Sequence, residues 1–106
     1  MAERVQVSSG APWEARVGYA RAVRIGAQVA VSGTCAVGPT GDVIGVGDAA
    51  AQTRHCIGII RAALEEAGAR LEDVVRTRIY VTDIADWPAI GAAHAEAFGD
   101  IRPAST

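Results

Sequence analysis

The stretch Leu71-Glu72-Asp73-Val74-Val75-Arg76-Thr77-Arg78-Ile79-Tyr80-Val81-Thr82 decides the fold, because it sets an extended segment between two helical ones. Alternation from Val74 to Thr82 puts Val75, Thr77, Ile79 and Val81 on one face of a strand. Val74, Arg76, Arg78, Tyr80 and Thr82 take the other. Two arginines and a tyrosine on that second face suit solvent, a subunit interface or a ligand pocket, not the interior of a sheet.

Upstream, Gly47-Asp48 starts a helix in which the Asp48 carboxylate takes bonds from the free N–H groups of the first turn. Thr53, Cys56, Ile60, Ala63, Leu64 and Ala67 recur at three- and four-residue spacing and make one apolar face, with Arg54, Arg61 and Glu65 away from it. Gly68 suits the left-handed terminator. Downstream, Asp83 and Asp86 read as caps, and Asp86 opens a second helix with Pro88 in its first turn. Ile90, Ala93, His94, Ala97 and Phe98 form its inner stripe. Phe98-Gly99 closes that helix, and Pro103-Ala104 opens a further extended segment.

Toward the N-terminus, Arg4 to Ser8 reads as a short strand broken by Ser9-Gly10-Ala11-Pro12. Tyr19 to Ile25 and Gln28 to Thr34 form a hairpin around Gly26-Ala27, with Gly26 at the first position of a type II′ turn. Gly38-Pro39-Thr40-Gly41 is a second turn, after which Asp42 to Gly45 pairs briefly. The order predicts a single α+β domain over residues 1–106, with two helices on one face of a mixed sheet.

Half of the residues are hydrophobic, yet the chain holds one Phe, two Trp and two Tyr. So few large side chains give a thin core, and subunit contacts are expected to supply part of the burial. No apolar run approaches the roughly 20 residues of a membrane span, and no basic-then-apolar leader pattern opens the sequence, so a soluble, cytoplasmic protein is expected.

The formal net charge is −2, and the ten basic residues are all arginine. Without lysine there is no Schiff-base lysine, P-loop lysine or lysine general base. The arginines are interleaved with acids, as Arg61 with Glu65 and Arg70 with Glu72, so no basic stripe for nucleic acid exists. The two cysteines, Cys35 and Cys56, are too few and too far apart for a metal cluster, and are expected to be small buried hydrophobes.

Several segments, taken in order, carry a family likeness. They are Gly18-Tyr19-Ala20-Arg21-Ala22, Val31-Ser32-Gly33-Thr34, Gly47-Asp48-Ala49-Ala50-Ala51-Gln52-Thr53, Leu71 to Thr77, Tyr80-Val81-Thr82-Asp83, and Phe98-Gly99 with Pro103-Ala104. In these the chain resembles the RidA/YjgF family of reactive enamine/imine deaminases, also known by the older name endoribonuclease L-PSP. The resemblance implies a chorismate-mutase-like α+β fold assembled as a homotrimer. Sheets would form the inside of a barrel, helices the outside, and three clefts would lie between neighbouring subunits. It also implies hydrolysis of 2-imino acids to 2-keto acids and ammonia, with no metal or organic cofactor.

Carried over by residue, Tyr19 matches the family's cleft tyrosine, and Ser32-Gly33 the segment whose backbone contacts substrate. The family arginine directly after Pro-Ala clamps the substrate carboxylate bidentately. Here Ser105 follows Pro103-Ala104, while Arg102 precedes them and would point elsewhere. Gly91 stands at a helix position often held by asparagine. The family's water-positioning glutamate and final strand segment would lie beyond Thr106. Arg21 and Arg78 stand where the deaminases usually carry uncharged residues. The expected substrate-binding set is Tyr19, Arg21, Ser32, Gly33, Arg78 and Ser105, in a branch lacking the carboxylate-binding arginine, with no catalytic residue assigned. In that set Arg21 or Arg78 would supply the charge for a small carboxylate.

Plainer roles compete for the same residues. Tyr19 suits interface packing, Ser32-Gly33 a strand bulge, and His94 a half-buried, hydrogen-bonded histidine. His55 reads as a solvated helix residue, and Cys35 has no base nearby in sequence. Three functions follow: a deaminase-class hydrolase, a non-catalytic trimer binding a metabolite between subunits, or a ribonuclease. The ribonuclease finds no histidine pair, lysine or basic groove to support it. The thin core and the arginine-bearing strand face predict a trimer in sedimentation velocity at micromolar concentration; a monomer there would contradict it.

Overall fold

Three antiparallel strands open the fold in a computed structural model that describes residues 3–106. Strand β1 (Arg4–Val7) pairs with β2 (Ala22–Ile25), and β2 with β3 (Gln28–Val31), in the order β1-β2-β3. Ile25 opposes Gln28 across the two-residue turn. Gly26 has φ 59 while Ala27 keeps a negative φ, the sign pattern of the expected type II′ hairpin.

Between β1 and β2 the structure adds an element beyond the expected break, helix α1 (Pro12–Val17), closed by Gly18 at φ 88. Six residues are too few for a helical period to show, and its buried side chain is Glu14, which no hydrophobic pattern reveals. After β3 the turn at Gly38–Gly41 is held by a Gly41 N–H to Gly38 O bond of 3.0 Å. The brief pairing expected there is a single bridge, Val37 to Val43.

Helix α2 (Ala49–Glu66) begins as read, with Asp48 Oδ1 accepting from the Ala51 N–H at 3.0 Å. It ends at Gly68, whose φ is 84 and where a Cβ would come within 2.7 Å of Arg24 Nη1. That guanidinium donates to the Ala67 carbonyl at 2.8 Å, tying the end of α2 to β2. Ala63 and Ala67 pack on Val7 and Ala22, while Leu64 meets Leu71 and Phe98. Val29 and Val31 of β3 touch both clusters.

The long strand read over Val74 to Thr82 is corrected to β4 (Arg76–Thr77), paired in parallel with β5 (Ala104–Ser105). Backbone bonds from Ala104 N–H to Val75 O at 3.0 Å and from Ile79 N–H to Thr106 O at 2.8 Å flank this pair, while Val75 and Tyr80 are 80% and 90% exposed. Alternation alone identified an extended backbone but not how much of it meets a neighbour. Helix α3 (Trp87–Phe98) buries Ile90, Ala93 and Phe98, three of the residues of the expected stripe. Asp86 makes no side-chain cap, because it lies in the 3-10 turn Ile84–Asp86 that leads into the helix. Asp83 caps that turn instead, accepting from the Ala85 N–H at 2.9 Å.

The architecture is therefore α+β, with α2 and α3 packed on each other. Its strands form a three-stranded antiparallel sheet and a two-stranded parallel one. No ladder joins the two sheets among the described residues.

Candidate functional site

At the β1–β3 sheet, Arg21 lies just before β2 and is only 7% exposed. Its Nη1 donates to the Gly33 carbonyl at 2.7 Å and to Thr34 Oγ1 at 3.1 Å. Its Nε lies 3.6 Å from Glu14 Oε2. Glu14, delivered by α1 and 5% exposed, accepts from Ser8 Oγ at 3.0 Å, from the Ser9 N–H at 3.1 Å and from the Ser9 hydroxyl. The guanidinium also sits 5.6 Å from the centre of the Tyr19 ring, so the two side chains are neighbours.

Desolvation alone would push the Glu14 carboxyl up. The Ser9 hydroxyl, the Ser9 N–H, the Ser8 hydroxyl and the Arg21 charge together outweigh it and hold the group below its usual 4.5. Arg21 is thus a buried, charge-compensated brace, and it does not form part of the wall of the nearby cleft. That cleft, open and about 520 Å³, is lined by Gln6, Glu14, Tyr19, Val31 and Ser32 among others. Ser32 prolongs the ladder beyond β3, its N–H donating to the Arg21 carbonyl at 2.9 Å and its hydroxyl to the Ala20 carbonyl at 2.6 Å. A Cβ on Gly33 would meet open space, so packing does not require glycine there.

At the second sheet the parallel register sets Thr77 beside Ser105, with their hydroxyls 2.8 Å apart. Thr77 Oγ1 is also 3.0 Å from His94 Nε2 of α3. His94 is half-buried and hydrogen-bonded, the plainer of its two readings, and desolvation holds its imidazole below the usual 6.5. Its ring lies 4.7 Å from that of Phe98. Arg78 is exposed and makes no ion pair among the described residues. Because neighbouring strand residues alternate, Arg78 and Ser105 belong to opposite faces of this sheet.

The six expected binding residues thus fall into separate groups in one chain. Tyr19, Arg21, Ser32 and Gly33 come together at the first sheet, while Ser105 and Arg78 stand apart from each other at the second. Sequence reading missed Glu14 and Thr77. Glu14 left no periodic signal; Thr77 was placed on the correct strand face, but its partners lie 17 and 28 residues further on.

Cys35 is exposed, which corrects the expectation of two buried cysteines, and Cys56 is half-buried with its thiol donating to the Thr34 carbonyl at 3.5 Å. Desolvation pushes the Cys56 thiol up. His55, expected in solvent, is half-buried on α2. Among the described residues no three His, Cys, Asp or Glu side chains converge as a metal site requires, and no helix is long and apolar enough to cross a membrane.

Comparison with known proteins gives a family match, to Endoribonuclease L-PSP, over residues 9–106. An uncharacterised protein of Streptomyces coelicolor is 42% identical over 102 residues, covering 95% of this chain and 75% of that protein. The 3-aminoacrylate deaminase RutC of Acinetobacter baylyi is 44% identical over 86 residues, covering 81% of this chain and 68% of that protein. Among solved structures, a member of the highly conserved YjgF/YER057c/UK114 family from Mycobacterium tuberculosis matches with a TM-score of 0.86 at 53% identity, covering 97% of this chain and 80% of that one.

The Glu14 geometry predicts a specific acid response. A carboxyl held low in the folded state contributes stability that is complete above its unfolded value near 4.5 and is lost as pH falls through the lower folded value. Glu14→Gln should therefore remove part of the stability that wild type holds above that window and flatten its decline below it, in urea unfolding measured at stepped pH. An identical pH profile in the two proteins would show that the carboxylate is not held by these bonds.

Proposed function

The chain belongs to the Endoribonuclease L-PSP family, the RidA/YjgF group, and from that premise we propose that it is a small-molecule hydrolase of the enamine/imine deaminase class. It acts at clefts between the subunits of a homotrimer and releases ammonia from a carbon–nitrogen double bond or its enamine tautomer. The carrying observation is the open cleft at Tyr19 and Ser32, whose floor is braced by the buried Arg21–Glu14 pair. The 44% identity to a 3-aminoacrylate deaminase supports the same chemistry. The exposed apolar side chains Val46, Val75 and Ile84 support burial against further copies of the chain.

In the proposed site, Tyr19 and Ser32 line the pocket, and Gly33 leaves room for close approach. The neighbouring subunit's β4–β5 sheet supplies Ser105, while Arg78, on that sheet's opposite face, acts on an anion only as a distant charge. Arg21 serves from beneath, because its charge already answers Glu14. Arg78 is then the guanidinium left for an anion, and as an exposed group it is screened by water. Hydrolysis needs water at the C=N carbon and a route for its protons to nitrogen, and no metal or organic cofactor enters.

A second reading, a non-catalytic trimer that binds a metabolite, is favoured by one observation, the neutral Ser105 in the clamp position. Turnover of freshly generated imines separates the two. Loss of a charge-assisted bidentate contact costs about 2–5 kcal/mol, hence roughly thirtyfold to several-thousandfold in rate if the contact acts in the transition state. Deamination of 2-iminopropanoate and 2-iminobutanoate should therefore be slower by that factor than in a relative carrying the arginine. Equal rates in protein freed of contaminating enzyme would contradict this placement of Ser105.

A further inference from the structure

Three hydroxyl- and imidazole-bearing side chains from three separate elements stand in a line. Ser105 of β5 is exposed, Thr77 of β4 is half-buried, and His94 of α3 is half-buried against Phe98. The contacts are 2.8 Å from Ser105 to Thr77 and 3.0 Å from Thr77 to His94 Nε2. We propose that this line is a proton relay, in which the Ser105 hydroxyl meets the substrate and exchanges protons with His94 through Thr77. The proposal rests on the deaminase reading and deepens it by supplying the proton path that reading needs.

Thr77 has one hydroxyl proton and two neighbours, so the bonds can run in either of two directions. In one, Ser105 donates to Thr77 and Thr77 donates to an unprotonated Nε2. In the other, Nε2–H donates to Thr77, Thr77 donates to Ser105, and the Ser105 proton is free for an acceptor outside. A coordinated shift converts one into the other and carries a proton between the surface and the ring.

Desolvation disfavours the charged ring, so near neutrality the imidazole is unprotonated and Nε2 is free to stand at the inner end of the line. The charged or titratable groups on the elements around it are Arg54, His55 and Cys56 of α2, Glu96 of α3, Arg76 and Arg78 of the β4 segment, and Asp100 and Arg102 after α3. None forms an ion pair or hydrogen bond with His94 among the described residues. Arg54 and Glu96 hold each other at 2.9 and 3.0 Å, and Arg76 donates to the Thr106 hydroxyl.

In imine hydrolysis the water oxygen bonds to the imine carbon, and the C=N π pair moves onto nitrogen. The water proton passes to Ser105 as the Ser105 proton passes to Thr77 and the Thr77 proton to Nε2. The reverse shift returns a proton to nitrogen. A second cycle moves the remaining hydroxyl proton in the same way, the C–N bond breaks, and ammonia and the carbonyl product leave. No oxidant, reductant or further reactant is required.

The test has two arms on the intact protein. Using ¹⁵N-labelled histidine, NMR titration follows His94, with His55 as internal control. Thr77→Val removes the hydroxyl that accepts from the imidazolium, so the His94 midpoint should move down while that of His55 stays. In kinetics with an imine or enamine that wild type hydrolyses, Thr77→Val should lower kcat roughly tenfold or more with little change in KM. It should also abolish the fall in kcat on the acid side of the His94 midpoint. Thr77→Ser, which keeps the hydroxyl, should restore both rate and pH limb, which separates relay from packing. An unchanged kcat and pH limb in Thr77→Val overturns the relay. If wild type turns over no imine, the deaminase reading falls by itself. The NMR arm then tests the contact on which the relay depends: an unmoved His94 midpoint overturns it, and a midpoint lowered in Thr77→Val and restored in Thr77→Ser supports it.

Discussion

A guanidinium shut away from water is the constraint around which one end of this molecule is arranged. Arg21 is 7% exposed, and an unpaired charge so placed would be strongly destabilising. The chain answers it from three directions: Glu14 from α1, the Gly33 carbonyl and Thr34 from the segment after β3, and the face of Tyr19. Glu14 in turn needs Ser8 and Ser9 at the end of β1. One charge therefore fixes the exit of β1, the seat of α1 and the extension of the hairpin, which together form the cleft rim. The same commitment means that Arg21 could act as the substrate clamp only by giving up its bonds to Gly33 and Thr34 and leaving the Glu14 charge to the serine hydroxyls and one backbone N–H.

The other end is organised by packing. Leu64, Leu71 and Phe98 lock α2 to α3, and the seating of α3 carries His94 toward β4. Parallel pairing of two residues on each strand then brings Ser105 within reach of Thr77. Across the molecule the buried apolar side chains include four alanines, at positions 22, 63, 67 and 93. Large apolar side chains such as Val75 and Ile84 remain outside the core, as surface that the proposed trimer would cover.

Much of the fold was legible because its signals are local. The Asp48 cap, the apolar face of α2, the Gly68 terminator and the Gly26 turn each lie within a few residues of what they govern. The strand from Val74 was legible as extended chain, but its ladder depends on β5, nearly thirty residues away. The helix start read at Asp86 holds, but Asp86 makes no side-chain cap because it already lies in a 3-10 turn, and Asp83 supplies the side-chain bond there. At the site, Tyr19 and Arg21 could each be named from the sequence. What Arg21 is bonded to could not, since Glu14 sits in a helix too short to show a period. The line from Ser105 to His94 was equally hidden, because polar contacts across elements leave no pattern in one sequence.

The central claim is a deaminase-class site in which no buried guanidinium holds the substrate carboxylate. The most direct measurement compares catalysed ammonia release from one imine as its free acid and as its methyl ester, at equal concentration. The account predicts that both are hydrolysed, with a preference for the acid below about tenfold, as expected of an exposed, screened arginine. A preference for the acid on the order of a hundredfold or more would reveal a bidentate clamp and contradict it, as would a failure to hydrolyse either.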